Sequence, residues 1–165
     1  MPGTISLHAV VSETTKFQVQ PLADEYNLHR FLDAQERIYH TVLAELRAGR
    51  KSSHWMWFIF PQIIGLGRSG TALKFAMTSL DEAKVYLQHP VLGPRLKECT
   101  QLVLNVDGRS AEQIFGYPNH LKFRSCLTLF MTATTDNKVF NDALLKYFDD
   151  KPDTLTLDIL AYQKL

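Results

Sequence analysis

The sequence predicts an all-α fold, a compact single-domain bundle of about eight helices preceded by an extended arm. Three observations carry this expectation. Apolar residues recur at steps of three and four from Leu28 to Leu46, helix-capping patterns open several later segments, and Gly, Pro and Asp punctuate the chain at short intervals. No segment offers convincing partner strands for a sheet.

Residues 1–24 are rich in Thr, Ser, Val and Gln without helical period and read as an extended arm. Residues 25–165 form the expected helical domain. Within it, Leu28, Phe31, Leu32, Gln35, Ile38, Tyr39, Val42, Leu43 and Leu46 predict one long amphipathic helix, capped by Asn27 and closed by Gly49. The block His54–Phe60 has no clear period. It is expected to form a buried two-turn helix, capped by Ser52 or Ser53 and stopped before Pro61, since the residue before proline must leave the helical region.

A short helix is expected over 71–77. Ser79-Leu80-Asp81-Glu82 then opens a helix that runs to about Gln88 and is broken by His89-Pro90. Leu92, Leu96, Cys99, Val103 and Val106 hold one apolar face as far as Asp107-Gly108. Ser110-Ala111-Glu112-Gln113 caps a short turn ending at Gly116, and Asn119 can cap a segment reaching about Thr132. The apolar positions from Val139 to Phe148 mark another helix, and Asp153 or Thr154 starts the last.

Bulk composition narrows the function. Eighteen Lys plus Arg against seventeen Asp plus Glu leave a formal charge of +1, so no overall field recruits nucleic acid or an anionic membrane. Neither a secretory signal nor a membrane-spanning run is evident, which makes a cytoplasmic address the expectation. Cys99 and Cys126 lack CxxC spacing and read as reduced, buried thiols. The six histidines include no HxxxH or HExxH pair, so no metal site is expected, and no cofactor pattern survives inspection.

Candidate chemistry concentrates at Arg50-Lys51-Ser52-Ser53-His54, where cations, hydroxyls and helix-start N–H groups favour a phosphate or carboxylate. The competing reading is that Arg47, Arg50 and Lys51 complement the negative end of the preceding helix. Gly65-Leu66-Gly67-Arg68-Ser69-Gly70 matches GxGxxG, but no βαβ unit surrounds it, and a Rossmann site is rejected. Its glycines still permit close backbone approach, and Arg68 can meet an anion. Lys122 and Arg124 diverge on a helix, so the relevance of Lys122 depends on the fold bringing it near Lys51.

Gln35 sits inside an apolar stripe, where its amide must orient a site or satisfy a buried carbonyl. Tyr39 follows one turn later on the same side. Glu36, Glu45, Glu98 and Glu112 read first as exposed helix-face residues.

These features together suggest a small anionic ligand, nucleotide-like or otherwise phosphorylated, bound near Lys51, Ser53, His54, Gln62 and the Gly65, Gly67 and Arg68 loop. Trp55 or Trp57 would stack a ring. Two alternatives stand beside this reading. One is a hydrolase or glycosidase acting on an ADP-ribose-type substrate with His54 as acid/base, and the other is an interaction module whose aromatic block is exposed.

Arg30-Phe31-Leu32-Asp33-Ala34-Gln35, the run from Gly49 to Gln62, and Gly65-Leu66-Gly67 closely resemble the bacterial domain of unknown function 1810. The resemblance continues at His89-Pro90-Val91-Leu92-Gly93, Arg95-Leu96, Ile114-Phe115-Gly116, Leu121-Lys122 and Ser125, and so spans roughly residues 25–160. It implies a mainly helical single domain and no particular reaction. Cys126 stands where the family pattern has a second serine.

Overall fold

A computed structural model describes residues 24–165; the extended arm expected over residues 1–24 lies, up to residue 23, outside the described residues. The described chain is all-helical and has ten helices rather than about eight. They are α1 (His29–Glu36), α2 (Tyr39–Arg47), α3 (Met56–Ile59), α4 (Gly70–Phe75), α5 (Leu80–Gln88), α6 (Leu92–Leu104), α7 (Ala111–Phe115), α8 (Asn119–Ala133), α9 (Lys138–Phe148) and α10 (Thr154–Gln163). The one extended pairing is an isolated parallel bridge, Ile63 to Met77.

The long first helix is instead two. The ladder tightens at Ile38, whose N–H reaches back three residues to the Gln35 carbonyl at 3.1 Å, and the chain re-enters helix at Tyr39. No Gly or Pro lies between Leu28 and Ala48, so no local signal marks the break. Asn27 does not cap α1. It takes a left-handed conformation (φ 51°), and the Asp24 carboxylate caps instead, accepting from the N–H groups of Leu28 at 2.6 Å and His29 at 2.9 Å. Gly49 closes α2 as expected: at φ 68° it lets the Arg50 N–H return to the Glu45 carbonyl at 3.0 Å.

Several caps follow the sequence. Ser110 and Gln113 form a complete capping box on α7, and Asp153 accepts from the Thr156 N–H on α10. The box at Ser79 is only half made. Ser79 Oγ accepts from the Glu82 N–H at 3.2 Å, but the Glu82 carboxylate turns away to Arg30 at 3.1 Å and Thr78. Arg30 also donates to the carbonyls of Tyr26, Asn27, Lys74 and Ala76, so one guanidinium ties the entry of α1 to the segment after α4.

One core joins all of this. Phe31, Trp55, Phe60, Tyr86, Phe123, Phe130 and Phe140 are each essentially inaccessible, and aromatic contacts link Phe60 to both Phe115 and Phe123, and Tyr86 to both Phe31 and Phe130. α8 runs through the middle, packed on α5, α7, α9 and α10. Gly93 lets α6 begin directly on the end of α5: a Cβ there would lie 2.0 Å from the Leu87 carbonyl oxygen. Both cysteines are free and buried.

Candidate functional site

The loop between α2 and α3 is organised by a carboxylate read from sequence as exposed. Glu45 is only 8% exposed. One of its oxygens accepts from the Ser52 N–H, the Ser52 hydroxyl at 3.0 Å and the Ser53 N–H at 2.6 Å, and the other accepts from the Trp55 indole N–H at 3.1 Å. Burial alone would raise its pKa, yet the hydrogen bonds from Ser52, Trp55 and Ser53 outweigh burial and hold it below the ordinary value.

This corrects the expected geometry of the aromatic block. α3 is a single turn with Trp55 at its N-cap and no side-chain cap. The donors of Ser52 and Ser53, which a bound anion would have used, are occupied by the protein's own carboxylate. Phe60 leaves the helical region before Pro61, as the proline requires.

Lys51 lies in the same loop. Its N–H donates to the Ile114 carbonyl at 2.7 Å, and its ammonium donates to the Ser53 carbonyl while lying 5.0 Å from the Trp55 ring centroid. From the first turn of α8, the Lys122 ammonium sits 3.9 Å from the Trp57 ring centroid and donates to Asn119 Oδ1 at 3.4 Å. Burial lowers the pKa of both lysines. At Lys51 the neighbouring Lys122 charge adds to the lowering while Glu45 opposes it. The fold therefore places Lys51 and Lys122 on Trp55 and Trp57, two indoles of one short segment.

A second grouping lies at the edge of Trp57. Gln62, Gly65 and Gly67 join Trp57, Ile63, Leu66, Ala72 and Ala76 around a cavity whose water-accessible volume is about 10 Å³. The Ile63–Met77 bridge sets the backbone here: the Gln62 carbonyl accepts from the Met77 N–H and the Met77 carbonyl from the Ile64 N–H, both at 2.8 Å. Gly67 is needed for contact rather than for a turn. A Cβ there would stand 2.7 Å from the Ala72 Cβ and 3.1 Å from the Trp57 ring.

Gln35 and Tyr39 belong to a different network. Gln35, 1% exposed, donates to the Phe58 carbonyl at 2.8 Å and to the Tyr86 hydroxyl at 3.3 Å, and accepts from Arg95 at 3.3 Å. It thus satisfies a carbonyl of α3, one of the two roles its sequence position allowed. Tyr39 donates to Glu98 at 2.9 Å and carries the Arg95 guanidinium over its ring at 4.5 Å. Burial, with the neighbouring Cys99 and Glu98, pushes its hydroxyl well above the ordinary range.

His54 and Arg68 are exposed, and neither side chain makes a hydrogen bond or ion pair with another described residue. Arg124 points away from Lys122 and donates to the carbonyls of Lys151 and Pro152. The aromatic block is core rather than exposed surface: Trp55, Met56, Ile59 and Phe60 are buried, while Trp57 and Phe58 keep partial access. Sequence reading missed Glu45, and the one available signal was its place in the last turn of α2, seven residues before Ser52.

Among the described residues, no group of three or more His, Cys, Asp or Glu could hold a metal ion, and no helix is long and apolar enough to cross a membrane.

The fold and this loop define a small helical domain whose aromatic segment is pinned by a buried glutamate and flanked by two lysines. Residues 25–160 match the family described as protein of unknown function (DUF1810), and the chain belongs to that family. It is also similar to a solved crystal structure, that of the conserved hypothetical protein Rv1873 from Mycobacterium tuberculosis, with 52% sequence identity and a TM-score of 0.83 over 84% of this chain and 99% of that one. No curated protein matches the chain.

Proposed function

We propose that this domain binds a small anionic ligand, phosphorylated or nucleotide-like, between Lys51 and Lys122. The observation that carries the reading is that two partly buried ammonium groups each lie on an indole of the same short segment, Lys51 on Trp55 and Lys122 on Trp57. Burial destabilises the charge on each ammonium, and an anion placed against them offsets that cost and gains charge-assisted hydrogen bonds. Glu45, the carboxylate nearest Lys51, already accepts four donors.

Of the two indoles, Trp57 suits a ligand ring better. Trp55 is 1% exposed, whereas Trp57 keeps partial access. Ser53 contributes through its backbone, and His54 or Arg68 would add longer-range attraction. Gln35 and Tyr39 support the site indirectly, through the Phe58 carbonyl. The balanced net charge of +1 fits a small ligand better than a nucleic acid. The hydrolase alternative has no observation of its own, because nothing orients His54 as an acid or base.

Thermal-shift and calorimetric titration with nucleotides and sugar phosphates tests the proposal. Stabilisation of about 2.7 kcal/mol is expected at one hundred times Kd, and Lys51→Ala and Lys122→Gln each weaken the affinity at least tenfold. No stabilisation by any such ligand, or stabilisation of both variants equal to that of the wild type, overturns it.

A further inference from the structure

Gln62 is 7% exposed, and its side-chain amide has no hydrogen-bond partner among the described residues, although its backbone carbonyl accepts from Met77. No sealed side-chain nitrogen or oxygen lacks a partner among the described residues, so the Gln62 amide must border accessible space. Gln62 lines a small cavity together with Trp57, Gly65 and Gly67.

The cavity sets the size of what can enter. About 10 Å³ of accessible volume holds roughly one water-sized group and no ring. Its other walls are backbone and apolar side chains, from Ile63, Leu66, Ala72 and Ala76. The amide offers both a donor and an acceptor, so it can pair with an amine or with a carbonyl oxygen. Trp57 lines the cavity and also carries the Lys122 ammonium 3.9 Å from its ring centroid. A ligand spanning the indole would therefore touch both groups.

We infer that the Gln62 cavity is a subsite for a single exocyclic amine or carbonyl on the ring of a nucleotide whose phosphate lies at Lys51 and Lys122. The inference rests on the anion reading above and narrows it from anions in general to nucleotides. The amide is the reading head, and the lysines are the anchor. Displacement of one poorly satisfied water by a ligand group that bonds the amide supplies the added affinity.

The test compares ribose 5-phosphate with AMP, GMP, CMP and UMP by calorimetry, on the wild-type chain, Gln62→Leu and Lys122→Gln. At least one nucleotide is expected to bind about tenfold more tightly than ribose 5-phosphate, the size of one well-placed hydrogen bond. Gln62→Leu removes that margin and leaves ribose 5-phosphate binding unchanged, whereas Lys122→Gln weakens both ligand types. If every nucleotide binds no better than ribose 5-phosphate, or if Gln62→Leu weakens sugar phosphate and nucleotide alike, the subsite is wrong and the anion site stands. If neither ligand type binds the wild-type chain, both readings fall. A thermal melt of Gln62→Leu within a few degrees of wild type shows that a lost margin is not a loss of fold.

Discussion

The Glu45 carboxylate receives the Trp55 indole N–H at 3.1 Å with its second oxygen while its first gathers the backbone N–H groups of Ser52 and Ser53. An internal anion thus performs at this loop the task that a helix start usually offers to a ligand. Its effect is to fix the chain direction between α2 and α3, so that Lys51 lies on one indole and the next indole faces Lys122. The proposed ligand site at the lysines is accordingly preorganised by a residue that need not touch the ligand.

Replacing Glu45 exposes how much the loop depends on it. Glu45→Ala leaves two backbone donors and the buried indole N–H without an acceptor, and a loss of about 3 kcal/mol is expected, or roughly 10 °C in Tm for a chain of this size. Glu45→Gln, which keeps one acceptor oxygen, loses less. Denaturant unfolding followed by tryptophan emission measures both; equal stability of Glu45→Ala and wild type refutes the role.

Gly67 is expected to resist substitution for steric reasons alone. Gly67→Ala drives a Cβ to 2.7 Å from the Ala72 Cβ and 3.1 Å from Trp57, costing about 1–3 kcal/mol as overpacking. Removing the opposing methyl in Gly67→Ala/Ala72→Gly relieves the clash at Ala72, and the double-mutant cycle should show a favourable coupling. Additive losses would mean that the contact is not what restricts this position.

Alkaline pH should unfold the protein through its buried thiols and phenols. Burial pushes Cys99 up from 9.0 to about 12, raises Cys126 well above 9.0, and raises Tyr86 above its ordinary 10.0. The folded chain keeps these protons while the unfolded chain releases them, so their stabilising contribution is complete below about pH 9 and is lost as pH climbs toward 12. Lys51 and Lys122, lowered by burial, act in the opposite sense, favouring the folded state as pH rises toward 10.5, but both retain solvent access and oppose weakly. Melting temperatures between pH 7.5 and 10.5, taken under reducing conditions, should fall, and Cys126→Ala should flatten the slope. A flat wild-type profile would contradict the assignment.

Much of the architecture was written in short-range pattern. The apolar stripe placed Phe31, Val42 and Leu46 in the core, Ser79, Ser110 and Asp153 marked helix starts, Gly49 marked an end, and Pro61 stopped the aromatic turn; each depends only on neighbours within about one helical turn. What the amino-acid order left undecided involves partners brought together by the fold. The helix break at Arg37–Ile38 has no breaking residue. Gln35 finds Phe58, Tyr86 and Arg95 at separations of 23, 51 and 60 residues, and the half-made cap at Ser79 reflects the pull of Arg30 on Glu82 from 52 residues away.

The candidate site divides along the same line. Composition alone pointed to Lys51, Trp55, Trp57 and the Gly65–Gly67 loop, because cations, indoles and glycines are conspicuous in sequence. That Glu45 is buried, that Lys122 reaches Trp57, and that Gln62 lines a cavity with no side-chain partner among the described residues were decided by tertiary packing. Burial and hydrogen-bond partnership are properties of the space around a side chain, and distant segments of the chain build that space.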